Sequence, residues 1–214
     1  MRGKDGSLSR RPGLIVATSN PGKLREFRSL LADLPEPGFE LTSLGELNLP
    51  SPEETGATFL ENALLKARHA ASLAARAAIA DDSGLEVDAL GGAPGVWSAR
   101  FAGPQADDAA NNAKLLAALR GVAPGRRRAR YRCALVFVTG AQDPAPLIAE
   151  AAWEGLILEA PRGSGGFGYD PYFWLPEFGA TAAELDPEVK NRRSHRGQAF
   201  QALRGLLARS LQCA

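Results

Sequence analysis

The run Gly13-Leu14-Ile15-Val16-Ala17-Thr18 is continuously apolar, and at Ser19-Asn20-Pro21-Gly22 it turns into a segment with Leu24, Phe27, Leu30 and Leu31 spaced for one helical face. A strand without polar alternation is buried on both faces, the state of a strand in a sheet with helices on either side. The chain therefore opens as a strand-turn-helix unit. A weaker strand is expected around Phe39 to Leu44. Thr58 and Glu61 then have capping-box spacing for a long helix to about Arg76. On it Leu60, Leu64, Ala67, Ala71 and Ala74 mark the expected buried stripe, while Asn62, Lys66 and His69 share another face. Two strands are expected to flank a turn at Asp82-Ser83-Gly84, and Asp107 to Arg120 reads as the next helix. Ala129 to Thr139 and Pro146 to Leu158 read as long antiparallel strands, and a last helix with Phe200, Leu203, Leu206 and Leu207 follows Ser194. Alternating elements with some hairpin content predict an α/β fold with a mixed sheet flanked by helices.

With 214 residues and no linker-like tract, one domain is expected over residues 13–210, behind a frayed basic leader at 1–12. The leader carries Arg2, Lys4, Arg10 and Arg11 but no apolar core of a signal peptide, and no run approaches membrane-spanning length. A formal charge of +1 removes any global field for a polyanion. Arg126, Arg127, Arg128, Arg130 and Arg132 come with no nucleic-acid module pattern, so a solvated turn and strand face suffice. Cys133 and Cys213 lack zinc spacing, and reduced cytoplasmic thiols are the expected account. A soluble cytoplasmic protein without nucleic-acid or membrane partners is expected.

Three stretches carry chemistry. Asp81 and Asp82 close a short apolar run ahead of Gly91-Gly92-Ala93-Pro94-Gly95 and Ser98-Ala99-Arg100. Two adjacent acids there call for a cation or donors to offset their repulsion. With Glu53 and Glu54 before the long helix, the fold can bring carboxylates from two loops together, and hard oxygens without His or Cys select magnesium or manganese. Thr18-Ser19-Asn20-Pro21-Gly22-Lys23 lies where a strand feeds a helix, so N–H groups, the helix dipole and a lysine can converge on a phosphate. It lacks the first glycine and final hydroxyl of a P-loop, and a plain capped helix start is the alternative. Gly166-Phe167-Gly168-Tyr169-Asp170-Pro171 can set a ring against a flat base, or return its aromatics to the core. Lys190, His195 and Arg196 form a basic cluster suited to a base carbonyl or phosphate.

Taken in order, Thr18 to Lys23, Pro52 to Gly56, Glu61-Asn62-Ala63 with Lys66-Ala67-Arg68, Ala80 to Leu85, Leu90 to Gly95, Gly166 to Pro171 and Ser194-His195-Arg196-Gly197 resemble the inosine/xanthosine triphosphate pyrophosphatase family from about Leu14 to Leu207. The resemblance implies a strongly twisted central sheet with a substrate cleft between two lobes. It also implies a magnesium-dependent homodimer that cuts deaminated purine nucleoside triphosphates such as ITP, dITP and XTP into monophosphate and pyrophosphate, with manganese as a substitute metal. By motif position it implies that Thr18, Ser19, Asn20, Pro21, Gly22 and Lys23 hold the triphosphate. Asp82 would stand at the metal and the attacking water, Glu53 would be the second metal-side acid, and Lys66 would be a catalytic phosphate contact. Ser83, Phe167, Gly168, Tyr169, Asp170, Lys190, His195 and Arg196 would contact substrate. Two rivals share the scaffold: a nucleotide-sensing binding protein, separated by binding without turnover, and a hydrolase of modified pyrimidine triphosphates, separated by a substrate panel.

Overall fold

A computed structural model describes residues 12–18, 20–32 and 39–212, so the expectations for the leader through Arg11, for Ser19 and for Cys213 lie outside the described residues. Strand β1 (Gly13–Val16) feeds helix α1 (Pro21–Ala32). Asn20 fixes where that helix starts: its Oδ1 accepts the backbone N–H of Gly22 at 2.8 Å and of Lys23 at 3.1 Å. Thr18 Oγ1 accepts the Asn20 N–H at 3.1 Å and holds the turn. There follow β2 (Glu40–Ser43), α2 (Phe59–Ala74), β3 (Ala77–Val87), α3 (Asp108–Ala118), β4 (Arg128–Val138), β5 (Leu147–Ile157), β6 (Phe173–Leu175), β7 (Ala180–Thr181), α4 (Pro187–Arg193) and α5 (His195–Gln212).

The strands form one seven-stranded sheet in the order β2-β1-β3-β4-β5-β6-β7. β1 lies parallel to β2 and β3, and every pairing from β3 to β7 is antiparallel. This is the mixed α/β sheet that the sequence predicts. Among the described residues no helix is long and apolar enough to cross a membrane.

Two local expectations are corrected. No turn separates strands at Asp82-Ser83-Gly84: β3 runs unbroken and pairs with β4 from Ala78↔Val138 to Val87↔Ala129. Gly84 serves close approach, since a Cβ there would stand 2.4 Å from Ser98 Oγ and 2.6 Å from the Gly95 carbonyl. Because successive strand side chains point to opposite faces, Asp81 and Asp82 make separate direct ion pairs, although Lys23 and Lys66 act electrostatically on both. The buried face of α2 is also rotated from the expected stripe. It consists of Phe59, Asn62, Ala63, Lys66, Ala67, Ala70 and Ala71, with Leu60, Leu64 and Ala74 only partly buried.

The physical reason is the surface of β3. Ala63, Ala67, Ala70 and Ala71 pack on Ala78, Ala80 and Ala134, so small side chains let helix and strand approach closely. Asn62 and Lys66 go inward with them because Asp82 lies on that face and needs partners. His69 stays half-buried and places Nε2 2.9 Å from the Pro50 carbonyl oxygen. On the opposite face Ile79 packs with Phe27 of α1 and with Phe200 and Leu203 of α5. A third cluster of Leu85, Leu115, Tyr131, Tyr169 and Phe173 supports the far end of β3 and β4.

Candidate active site

On the α2 face of β3, Asp82 Oδ1 pairs with Lys66 Nζ at 2.8 Å and its Oδ2 accepts Asn62 Nδ2 at 3.1 Å. Lys66 is shared, since its Nζ also lies 2.8 Å from Glu54 Oε1. Arg100 reaches the other oxygen of Glu54 at 3.0 Å and stacks over the Trp97 ring. Asn62 Oδ1 accepts the Gly56 N–H at 2.7 Å, so one buried amide ties the segment carrying Glu54 to Asp82. Burial raises the Asp82 carboxyl above its usual range, because Lys66 and Lys23 only partly offset it and Glu54 adds to it. Burial alone would depress Lys66, but Asp82, Asp81 and Glu54 hold it above an ordinary lysine, so it is a permanent cation. Burial also works upward on Glu54, yet Lys66 and Arg100 keep its carboxyl below the normal value.

On the opposite face Asp81 is 1% exposed and gathers Lys23 Nζ at 3.0 Å, Arg196 Nε and Nη2 at 3.1 Å and Ser83 Oγ at 3.1 Å, all on Oδ2. Burial would raise this carboxyl, but Lys23, Arg196 and Lys66 hold it far below the carboxylate range. Arg196 also pairs with Glu26 and donates to Ser83 Oγ at 2.9 Å. Asp81 Oδ1 is buried without a partner.

At the far end Asp170 is a junction. Its Oδ1 accepts the Tyr131 hydroxyl at 3.1 Å, and its Oδ2 accepts the Phe167 N–H at 2.9 Å and Lys190 Nζ at 2.7 Å. Burial first and Asp170 second raise the Tyr131 hydroxyl well above its ordinary pKa, so it remains a donor. The His195 ring stacks on Tyr131 at 4.8 Å. Burial, then Arg196 and Lys190, push that imidazole well below its usual value and keep it neutral. Tyr169 donates its hydroxyl to the Ser98 carbonyl at 2.8 Å, joining this loop to the 3-10 segment Gly95–Arg100.

One cleft, partly open to solvent, joins these ends. Asn20, Lys23, Glu54, Asp82, Ser83, Phe167, Gly168, Tyr169, Asp170, Lys190, His195 and Arg196 line it, together with Asp108 and Tyr131. Five of the described candidates lie outside the lining, among them Lys66, which is buried and reaches the cleft only through its pairs with Glu54 and Asp82. Thr18 is buried in the turn and Pro21 is exposed at the helix start, both outside the lining, while Gly22 lies under the Phe167 ring, where a Cβ would stand 3.1 Å from it. Glu53, taken from sequence as the metal-side acid, is exposed outside the cleft, and Glu54 occupies that place. The segment from Ser51 to Gly56 alternates exposed and half-buried residues, with Pro52, Glu54 and Gly56 turned inward. Reading that alternation back from Gly56, which Asn62 anchors, is the signal that separates the two glutamates. Glu26, Asp108 and Tyr131 carry no motif signal of their own, because each acts through a neighbour remote in sequence.

The donor set fits a hard divalent cation. Glu54 and Asp82 both offer oxygens to the one Lys66 ammonium, hard donors of the kind such a cation takes. Among the described residues no three His, Cys, Asp or Glu converge.

Fold and cleft together define a class: an α/β protein with an acid- and lysine-floored cleft opening across a mixed sheet. A model of the Ham1 family matches residues 14–206. The chain is 60% identical over 190 residues to a dITP/XTP pyrophosphatase of Methylococcus capsulatus, covering 89% of this chain and 93% of that protein. It is 54% identical to a dITP/XTP pyrophosphatase of Pectobacterium atrosepticum, again over 89% of this chain and 95% of the relative. Among solved structures, a Ham1 protein from Coxiella burnetii superimposes with a TM-score of 0.84 at 46% identity, covering 92% of this chain and 99% of that one. The chain belongs to the Ham1 family.

Proposed function

We propose that this chain is a nucleoside triphosphate pyrophosphatase that hydrolyses deaminated purine nucleoside triphosphates, ITP, dITP and XTP, to the monophosphate and pyrophosphate. The observation that carries this reading is the buried Lys66 set between Glu54 and Asp82, two acids that line the cleft together with the Phe167–Asp170 loop. Relatives at 52–60% identity that are named dITP/XTP pyrophosphatases support it.

Glu54 and Asp82 would hold a magnesium ion, with manganese as a substitute, and the ion would supply charge neutralisation of the triphosphate and a more acidic water. The chain's own groups do the rest. Asn62 and Lys66 fix the Asp82 carboxylate, whose raised pKa suits it to orient water and take its proton. The water oxygen bonds to the α-phosphorus while the bond from that phosphorus to the bridging oxygen breaks, and pyrophosphate leaves. Lys23, Lys66 and Arg196 draw the phosphates, and Ser83 contacts them. Asn20 already occupies two N–H groups of the α1 start, so anion attraction there rests on Lys23 and the helix dipole rather than on free amides.

Base choice follows from donors at the other end. Hypoxanthine and xanthine present a 6-oxo acceptor where adenine presents an amino group, so donors from Lys190 or His195 are left unpaired against adenine. Each such mismatch costs about 1–3 kcal/mol, about tenfold or more in discrimination. A homodimer is part of the same proposal.

The test is product analysis with magnesium, ITP and ATP. Pyrophosphate is expected as the first product from ITP, with ATP at least about tenfold slower in kcat/KM. Orthophosphate as first product, or equal rates on the two nucleotides, would overturn the reading.

A further inference from the structure

The loop that carries Phe167 is hard to hold still. Gly163, Gly166 and Gly168 sit at φ of 75°, 73° and 63°, and glycine-rich backbone loses more freedom on ordering than any other. Its order has to come from groups outside it. Asp170 holds the Phe167 N–H, and the Ala183 carbonyl accepts the Gly165 N–H at 3.0 Å. The Gly168 peptide is gripped on both polar atoms by α3: Asp108 Oδ2 accepts its N–H at 2.7 Å and Asn112 Nδ2 donates to its carbonyl at 2.9 Å.

The two residues stand one turn apart on the same helix face, and Asn112 Nδ2 also donates to the Asp108 carbonyl at 2.8 Å. Helix stability does not explain Asp108, because the preceding Asp107 already caps α3 by accepting the Ala110 N–H at 2.8 Å. Asp108 lines the cleft beside Phe167, Gly168 and Tyr169 and makes no contact with Glu54, Lys66 or Asp82. α3 thus reaches across the cleft and clamps the loop that faces the base.

We propose that Asp108, assisted by Asn112, is a positioning residue that sets base discrimination by fixing the Gly168 peptide and with it the Phe167 ring. The inference rests on the pyrophosphatase reading above and assigns a specificity role within the same site. Because the clamp touches only the base end, its loss acts on KM and on the choice of base and leaves the chemical step largely intact.

The experiment compares Asp108→Ala, Asp108→Asn and Asn112→Ala with the unaltered protein, measuring pyrophosphate release from ITP and ATP with magnesium. The unaltered protein tests the function itself: if it does not prefer ITP, that reading fails whatever the variants do. Given that preference, Asp108→Ala is expected to raise KM for ITP about tenfold, hold kcat within about threefold and lower the ITP-to-ATP ratio of kcat/KM about tenfold. Asp108→Asn keeps an oxygen acceptor and restores the ratio to within about threefold, and Asn112→Ala shifts it in the same direction as Asp108→Ala. An unchanged ratio with a lowered melting temperature in Asp108→Ala, a loss confined to kcat, or an Asp108→Asn as impaired as Asp108→Ala would each overturn the proposal. Should Asp108→Ala fail to fold, Asn112→Ala decides by the same ratio.

Discussion

Lys66 is a buried ammonium on a helix face packed against a sheet, held charged by Asp82, Asp81 and Glu54. Removing one partner of such a buried pair leaves the other charge uncompensated, so the trio Glu54, Lys66 and Asp82 stands or falls together. The trio also decides between adjacent glutamates that look alike in sequence. Glu54→Gln is expected to lower kcat about 10- to 100-fold and to raise the magnesium concentration needed for half-maximal rate, while Glu53→Gln stays within about twofold. Equal losses in the two variants, measured in a magnesium titration, would return the role to the exposed residue. Asp82 and Lys66 could be singled out because their motifs are ordered and specific, and the structure pairs them at 2.8 Å. The choice between Glu53 and Glu54 was not legible, since it depends on the phase of an extended segment that Asn62 sets through Gly56.

At the scale of elements, β1 with α1, the capped α2 and the β4-β5 pair could be read from apolar spacing and capping residues, because those signals are local. Thr58 does accept the Glu61 N–H at 3.1 Å, although the Glu61 carboxylate reaches the Ala57 N–H and not that of Thr58 itself. β3 misled because Asp-Ser-Gly is turn chemistry, and a glycine demanded by the Ser98 hydroxyl cannot be told from one demanded by a turn. The buried stripe of α2 was displaced for a related reason. Leucines mark a core face in isolation, but here alanines set the helix close to β3 and polar Asn62 and Lys66 follow them inward to meet Asp82. Helix α4, capped by Asp186, is only seven residues long and left no readable periodicity.

Across the whole molecule the sheet separates two charge systems that the sequence presents as one acidic pair. Asp81 draws α1 and α5 together through Lys23 and Arg196, and Asp82 draws in α2 and the segment before it. Of the arginine-rich stretch, Arg127 is buried and donates to the Val122 and Leu119 carbonyls and to Glu159, while on the sheet surface Arg130 meets Glu86, Asp88 and Glu154, and Arg132 meets Glu150. His195, packed between Tyr131 and the cationic groups, couples stability to pH. It is neutral when folded and takes a proton near pH 6.5 when unfolded, so its contribution is complete above about pH 6.5 and is lost as pH falls toward the depressed folded value. Denaturant unfolding should show stability declining below about pH 6.5 by up to about 1.4 kcal/mol per pH unit, with His195→Gln flattening that slope. An identical slope in the variant would contradict a buried neutral imidazole.

The account as a whole turns on water attacking the α-phosphorus of a deaminated purine triphosphate beside Asp82. Turnover of ITP in oxygen-18 water, with both products analysed by mass spectrometry, tests that directly. The account predicts one labelled oxygen in the monophosphate and none in pyrophosphate; label in pyrophosphate or in released orthophosphate would contradict it.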